Sequence, residues 1–141
     1  MSKPKVLIMN GPNLNLLGQR EPSIYGSLSF DEYFNELQGF FPNIDLEYFQ
    51  SNHCGEMIDK LHVLGKGYQG AVLNAGGYSH NSIALAAALK AITVPVIEVH
   101  ISNIYARESF RKTSLLSQNC KAVISGLGLL GYKAAIEYLI S

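Results

Sequence analysis

The sequence contains no tryptophan, only two cysteines and no long apolar run. The last two of these features exclude particular classes of protein. A membrane-spanning helix needs about 20 consecutive apolar residues, so no span is expected. Cys54 and Cys120 form no C-x-x-C pair, and we expect two reduced, partly packed thiols instead of a disulfide framework or a redox site. Eleven basic residues balance eleven acidic ones, which removes the electrostatic basis for binding nucleic acid or an anionic membrane.

The high proportion of hydrophobic residues predicts one folded core. The chain has 141 residues, of which 48% are hydrophobic and 16% charged, a composition typical of a globular protein. This length predicts a single domain over residues 1–141. The apolar run Val6–Met9 is too short for the core of a signal peptide, and no small-residue cleavage site follows it, so we expect a cytoplasmic protein.

Arginine is scarce as well, and its placement is informative. The only three arginines are Arg20, Arg107 and Arg111, and all three fall in segments that we interpret as loops or loop edges. Because the planar guanidinium group matches carboxylates and other delocalised anions better than lysine does, this distribution hints at an anionic ligand.

Apolar segments with strand character alternate with segments that have helical periodicity. The first helix begins at a capping box formed by Ser29 and Glu32. Such alternation predicts a parallel sheet with helices on both faces and right-handed crossovers, and five strands suggest the flavodoxin-like order 2-1-3-4-5. The five predicted strands are Lys5–Asn10, Ile44–Gln50, Gly70–Asn74, Val94–Val99 and Lys121–Ser125, and the later helices are Gly55–Lys66, Asn81–Ile92 and Gly131–Ile140.

Polar residues follow the predicted strands at their carboxyl ends. Ligands of open parallel sheets bind beyond these ends, and the segments there are rich in Asn, His, Ser and Tyr. The sequence therefore predicts an active site at this edge, next to a long loop, Gly11–Gly26, whose second part, about residues 18–26, is a candidate lid. The polar segments are Asn10–Asn13, Gln50–His53, Asn74–His80 and Glu98–Ser102.

Glu98 and His100 are the first candidate pair. They lie two apart on a predicted strand, so their side chains share a face. A carboxylate inside an apolar strand costs several kcal/mol unless it is paired, and a carboxylate that holds an imidazole fixes its tautomer. We favour a catalytic pair over a purely structural ion pair at a strand end.

Tyr25 and Asn13 are candidates on the long loop. A tyrosine with its ordinary pKa near 10 is a weak base at neutral pH, and Arg20 or Arg107 nearby would favour the phenolate. Asn13 follows the first strand and could hold a water or donate to a developing oxyanion. For each residue alone, surface packing of the ring and ordinary turn chemistry are the simpler interpretations.

The third strand ends in Asn74, and Ser79 and His80 follow a Gly-Gly pair that permits close approach of a ligand. Ser79 can equally be a helix N-cap. Gly126–Gly131 matches G-x-G-x-x-G, but no further strand with an acidic residue follows, so a tight turn is predicted instead of a dinucleotide site. No histidine spacing indicates a metal site.

Together these segments resemble the type II 3-dehydroquinate dehydratases of the shikimate pathway. Any one motif is weak, but the ordered set spans nearly the whole chain and is highly specific. The matching motifs are Gly11–Gly18, Arg20–Gly26, Gln50–His53, Asn74–His80, Ile97–Asn103, Ala106–Arg111 and Gly126–Tyr132. The resemblance implies a flavodoxin-like fold, a homo-oligomer (a dodecamer built as a tetramer of trimers) and anti elimination of water from 3-dehydroquinate through an enolate, without cofactor or metal.

The resemblance also implies a role for each matching residue. Tyr25 is the base that removes the proton alpha to the ketone, and Arg20 supports its phenolate. His100 protonates the departing hydroxyl, Glu98 orients it, and Asn13 holds a water or bonds near the enolate oxygen. Arg107 helps to set the field of the tyrosine, and the substrate's hydroxyls and carboxylate are bound by Asn74, His80, the Ile101 backbone, Ser102 and Arg111.

The chain departs from the family pattern at four positions. Ala75 stands where many members have proline, Ala86 and Ala87 where Arg-Asp is common, and Cys54 where an acidic residue is usual. The missing acid puts in doubt a polar contact between subunits near the site. Two alternatives remain open: a flavodoxin-like module that binds a small ligand such as FMN, and a catalytically inactive assembly subunit of the same fold.

Overall fold

The computed structural model describes residues 2–19 and 27–141. Five strands form one all-parallel sheet in the order β2-β1-β3-β4-β5, which confirms the predicted fold class. Neighbouring strands end close together, so the loops after β1, β3 and β4 meet at one edge of the sheet. The strands are β1 (Lys5–Asn10), β2 (Asp45–Gln50), β3 (Gly70–Asn74), β4 (Val96–His100) and β5 (Ala122–Ser125).

Four α-helices cover the sheet in the described part of the chain. They are α1 (Phe30–Phe40), α2 (Cys54–His62), α3 (Ile83–Ala91) and α4 (Leu130–Ile140). The strand sequence separates the two layers, because successive side chains point to opposite faces. Val6 and Ile8 pack in one cluster with α1 and α4, and Leu7 and Met9 pack in the other with α2 and α3.

The start of α1 confirms the predicted capping box. The Ser29 side chain accepts a hydrogen bond from the Glu32 backbone N–H, and the Glu32 carboxylate accepts one from the Ser29 N–H. The end of α2 differs from the prediction, because the helix stops at His62 and not at Lys66. Leu64 continues the apolar stripe in a turn, where it is fully buried, and Gly67 has a left-handed φ of 97° that ends regular helix.

The prediction for the start of α3 was wrong. The helix begins at Ile83 and not at Asn81, and its N-cap is Ser82, whose hydroxyl accepts from the Leu85 N–H at 3.0 Å. Ser79, the predicted cap candidate, lies instead in a short 3-10 turn, Gly76–Ser79. None of the helices in the described ranges is long and apolar enough to cross a bilayer.

Candidate active site

A cavity of about 170 Å³ lies at the carboxyl edge of the sheet, between the loops that follow β1, β3 and β4. Its wall brings together most of the residues predicted from the sequence: Asn13, Asn74, His80, His100, Ile101, Ser102, Arg107 and Arg111. Tyr25 and Arg20, the predicted base and its support, lie outside the described residues. Glu98 is fully buried beneath the cavity.

Glu98 and His100 form a buried pair on β4. Nε2 of His100 bonds to Oε2 of Glu98, and the other carboxylate oxygen accepts a hydrogen bond from the Ser117 hydroxyl at 2.7 Å. Burial alone would raise the pKa of Glu98, but hydrogen bonds from His100, Ser117 and Ser114 outweigh it and hold this pKa below its ordinary value. An ionised Glu98 makes Nε2 the donor, so Nδ1 is the ring nitrogen available to a bound molecule.

A hydrogen bond to the segment that follows β4 fixes the orientation of the His80 ring. Its Nδ1 donates to the Thr113 carbonyl oxygen at 2.8 Å, which leaves Nε2 for a ligand. The ring stacks against that of His100 with 6.4 Å between centroids. No group of three His, Cys, Asp or Glu side chains within residues 2–19 and 27–141 is arranged to hold a metal ion.

Asn13 lies in a turn and also lines the cavity. Its φ of 69° is left-handed, a conformation that asparagine tolerates better than most residues. Its backbone N–H donates to Asn52 Oδ1 at 3.0 Å, and the Gln50 amide donates to the Gly11 carbonyl at 3.1 Å. The end of β2 therefore fixes the loop that presents the Asn13 side chain.

Arg107, Arg111 and Ser102 also line the cavity. Arg107 Nη1 donates to Ser102 Oγ at 3.1 Å. Arg111 Nε lies 3.2 Å from Glu108 Oε2, yet the geometry is not that of a hydrogen bond, and this nitrogen has no such partner among the described residues. We treat the contact as a weak ion pair, because the Glu108 side chain is mostly exposed. Arg111 can therefore turn to an anionic ligand at little cost.

Gly126–Gly131 forms the predicted tight turn. The Gly126 and Gly128 N–H groups donate to the His100 and Ile101 carbonyls at 3.2 and 3.0 Å. A Cβ on Gly131 would stand 3.2 Å from Val99 Cγ1, so this glycine permits close packing of α4 on the sheet. The turn supports the end of β4, and the Gly126 and Gly128 N–H groups are engaged in these bonds and not free to hold a phosphate.

Several supporting residues were not identified from the sequence. Ser114 and Ser117 bond to Glu98, and Tyr132 bonds to Asn74 and Asn10. Tyr132 was part of a motif, but nothing in its spacing indicated a polar contact 58 residues away along the chain. The serines lie in an irregular segment with no periodicity to interpret.

Cys54, Cys120 and Ala75 are not among the residues that line the cavity, and their contacts are structural. Cys54 and Cys120 are free thiols, as expected, and burial raises the pKa of Cys120 to about 12. Cys54 Sγ lies 3.1 Å from the hydroxyl of Ser82. The buried Ala75 backs the loop after β1, because a Cβ on Gly11 would stand 2.5 Å from its carbonyl oxygen.

The sheet is parallel with the order 2-1-3-4-5, a cavity lies at its carboxyl edge, and the cavity wall contains the His100 imidazole, which is paired with the buried Glu98 carboxylate. These features define a flavodoxin-like α/β protein equipped for acid–base chemistry. The family model described as dehydroquinase class II matches residues 4–140, and the chain belongs to this family.

Individual relatives support this family membership. The chain is 49% identical to the 3-dehydroquinate dehydratase of Bacillus pumilus (strain SAFR-032) over 98% of its own length and 95% of the relative's. It is 47% identical to that of Chlorobaculum tepidum over 99% and 96%. The crystal structure of the type II dehydroquinase from Butyrivibrio crossotus DSM 2876 matches with a TM-score of 0.94 and 43% identity over 99% of both chains.

Proposed function

We propose that this protein is a lyase that eliminates water from 3-dehydroquinate, with anti geometry and through an enolate, to give 3-dehydroshikimate in the shikimate pathway. The observation that carries the proposal is the Glu98–His100 pair, buried under a cavity lined by amide, imidazole, hydroxyl and guanidinium groups. Elimination beside a ketone needs a base, a stabiliser of the enolate and an acid. Family membership favours this activity over a flavin-binding module.

The acid half of the reaction belongs to His100. Its Nδ1 is the nitrogen that would give a proton to the departing hydroxyl, while Nε2 stays bonded to Glu98. The carboxylate holds the ring at one angle and stabilises the imidazolium before transfer. Bonds from Ser117 and Ser114 favour the ionised carboxylate that this role requires.

The base half is assigned to Tyr25, with Arg20 and Arg107 favouring its phenolate. This assignment rests on the motif Arg20–Gly26, on a lid over about residues 18–26 and on Arg107 in the cavity wall. Gly18, at the start of the proposed lid, lies close to Ser27, because a Cβ on Gly18 would stand 2.8 Å from the Ser27 carbonyl oxygen.

Substrate binding is assigned to the remaining polar groups of the wall. We propose that Arg111 pairs with the substrate carboxylate, and that Asn13 lies near the enolate oxygen or holds a water beside it. The ring hydroxyls are assigned to Asn74, His80, Ser102 and the Ile101 backbone.

Turnover can be followed as ultraviolet absorbance of the conjugated enone product. We expect Tyr25→Phe to nearly abolish turnover while substrate still binds, because the phenol oxygen is lost and the ring is kept. We expect the same of His100→Ala, and of His100→Asn, whose amide can still donate to Glu98. A variant at either position with a near-wild-type rate would contradict the corresponding assignment, and a wild-type chain without turnover at any pH would favour an inactive assembly subunit.

We also propose that the protein is cytoplasmic and assembles as a homo-dodecamer, a tetramer of trimers. Large exposed apolar side chains support assembly, since contacts between subunits bury such groups. They include Ile83, Tyr105, Phe110, Leu127 and Leu130.

A further inference from the structure

A buried chain of hydrogen bonds runs from the cavity wall into the core beside α4. Asn74 Nδ2 donates to the Tyr132 hydroxyl at 2.9 Å, and this hydroxyl donates to Asn10 Oδ1 at 2.8 Å. Tyr132 and Asn10 are wholly inaccessible to solvent. Because Asn10 and Asn74 are register partners at the ends of β1 and β3, one phenol bridges two neighbouring strand ends.

The orientation of the Asn74 amide is fixed from two sides. Its Oδ1 accepts a hydrogen bond from the Gly76 N–H at 3.2 Å, so a flipped amide would place an NH₂ group against a backbone donor. The Tyr132 hydroxyl has one hydrogen, which it gives to Asn10, and it can therefore only accept from Asn74. Each bond enforces the same amide orientation.

This arrangement has a consequence for the cavity. An amide nitrogen carries two hydrogens, Tyr132 takes one, and Asn74 lines the cavity. We propose that Tyr132 is a positioning residue for the substrate: it holds Asn74 so that the second N–H meets a substrate oxygen. The inference rests on the proposed function, since it needs a substrate that Asn74 binds.

The phenol suits this role better than a smaller hydroxyl residue. Burial raises the pKa of Tyr132, although the hydrogen bonds with Asn74 and Asn10 act against the rise, so the group stays a neutral donor and acceptor. Its ring is held edge-on by Phe30, with centroids 4.9 Å apart. Loss of the hydroxyl alone would leave two buried amides without their shared partner, while the packing of the ring is retained.

The test compares Tyr132→Phe with Tyr33→Phe. Tyr33 belongs to the same aromatic cluster, but its hydroxyl donates to the Leu129 carbonyl. We expect Tyr132→Phe to raise KM for 3-dehydroquinate by about 3- to 10-fold, the worth of one neutral hydrogen bond, with kcat within about twofold of wild type. Tyr33→Phe should leave KM unchanged. A merely structural defect would lower kcat through a smaller folded fraction and leave KM alone.

A double-mutant cycle then tests whether Tyr132 acts through Asn74. In an Asn74→Ala background, Tyr132→Phe should have little further effect on kcat/KM, because the amide that it positions is absent. Asn10→Ala, outside the cavity wall, removes the acceptor that fixes the direction of the phenol hydrogen and should also raise KM. It serves as the test if Tyr132→Phe does not fold.

The outcomes separate the two proposals. If the wild-type chain turns over 3-dehydroquinate but KM is unchanged in Tyr132→Phe and Asn10→Ala, or if the effects of Tyr132→Phe and Asn74→Ala are additive, the positioning role is overturned and the proposed function stands. If the wild-type chain does not turn over the substrate, the proposed function is overturned and the inference falls with it.

Discussion

At the scale of single residues, Glu98 links the site to acid stability. Its pKa in the folded protein lies below the ordinary value of 4.5, with burial opposing the shift and three hydrogen bonds causing it. A lowered pKa means that the ionised group contributes stability that is fully present well above pH 4.5 and is lost as the pH falls through the lowered pKa. Protonation of Glu98 therefore weakens the fold in acid.

We expect Glu98→Gln to be less stable than wild type at about pH 7. As the pH falls from about 7 to about 3, the free energy of unfolding of Glu98→Gln should decrease less than that of wild type, because no ionisation is then linked to folding at this position. Urea unfolding at a series of pH values measures the difference. Glu36→Gln, at an exposed carboxylate of α1, is the control and should follow the wild-type curve. A gap between Glu98→Gln and wild type that does not change with pH would contradict the role of the ionised carboxylate.

The sequence predicted this pair, but it missed Ser117, which bonds to Glu98, and Tyr132, which bonds to Asn74. Glu98 and His100 were identified because the side chains of residues two apart on a strand point to the same face. In addition, a carboxylate in an apolar strand needs a partner. Ser117 and Tyr132 reach the site from other parts of the chain, 19 and 58 residues from their partners. Such contacts depend on how the helices and loops pack, which no local pattern encodes.

At the scale of elements, the start of α3 shows where local signals mislead. Ser79 and Ser82 both precede an alanine-rich helix, and either could cap it. The structure uses Ser82 as the cap and buries the Ser79 hydroxyl without a hydrogen-bond partner among the described residues. The 3-10 turn Gly76–Ser79 is held by bonds to the neighbouring loops, including the bond that Leu115 N–H donates to the Ser79 carbonyl at 2.7 Å.

The two serines should therefore respond differently to alanine. Ser82→Ala should lower the free energy of unfolding by about 0.5–2 kcal/mol through loss of the cap. Ser79→Ala should be nearly neutral or slightly stabilising, because it removes a buried hydroxyl that has no hydrogen-bond partner within residues 2–19 and 27–141. Urea unfolding of both variants at pH 7 measures the two changes. The reverse order would show that Ser79 and not Ser82 supports this helix.

Regular elements were otherwise predicted well, and for a physical reason. The apolar strands and the capping box of α1 are local properties of the chain, and the parallel order follows from their alternation with helices. The ends of α2 and β4 were less well predicted. Val94 and Pro95 look like strand residues, yet β4 begins at Val96, and Pro95 instead accepts the Ala71 N–H with its carbonyl oxygen.

At the scale of the whole molecule, the proposed assembly rests on exposed apolar groups. The Ile83 side chain is 77% exposed at the first turn of α3, and Tyr105 and Phe110 are 63% exposed near the cavity. Ala87 is exposed on the same helix, four residues after Ile83. Residues four apart share a face of a helix, so this face of α3 carries two exposed apolar side chains.

We expect light scattering to give the mass of twelve 15.4-kDa chains. Ile83→Glu should reduce this mass, because it places a charge where an apolar side chain would be buried between subunits. Lys66→Glu, at an exposed residue after α2, is the control for a change in charge and should keep the mass. A wild-type protein that elutes with the mass of one chain would contradict the assembly.

The central claim is that one cavity holds a base and an acid that act in succession on a single ketone, and hydrogen exchange in D₂O tests it most directly. His100→Ala should still exchange the proton alpha to the ketone of 3-dehydroquinate for deuterium, because Tyr25 can form the enolate without elimination. Tyr25→Phe should incorporate no deuterium above the enzyme-free rate. The account is contradicted if Tyr25→Phe exchanges freely while His100→Ala does not, as NMR of the recovered substrate would reveal.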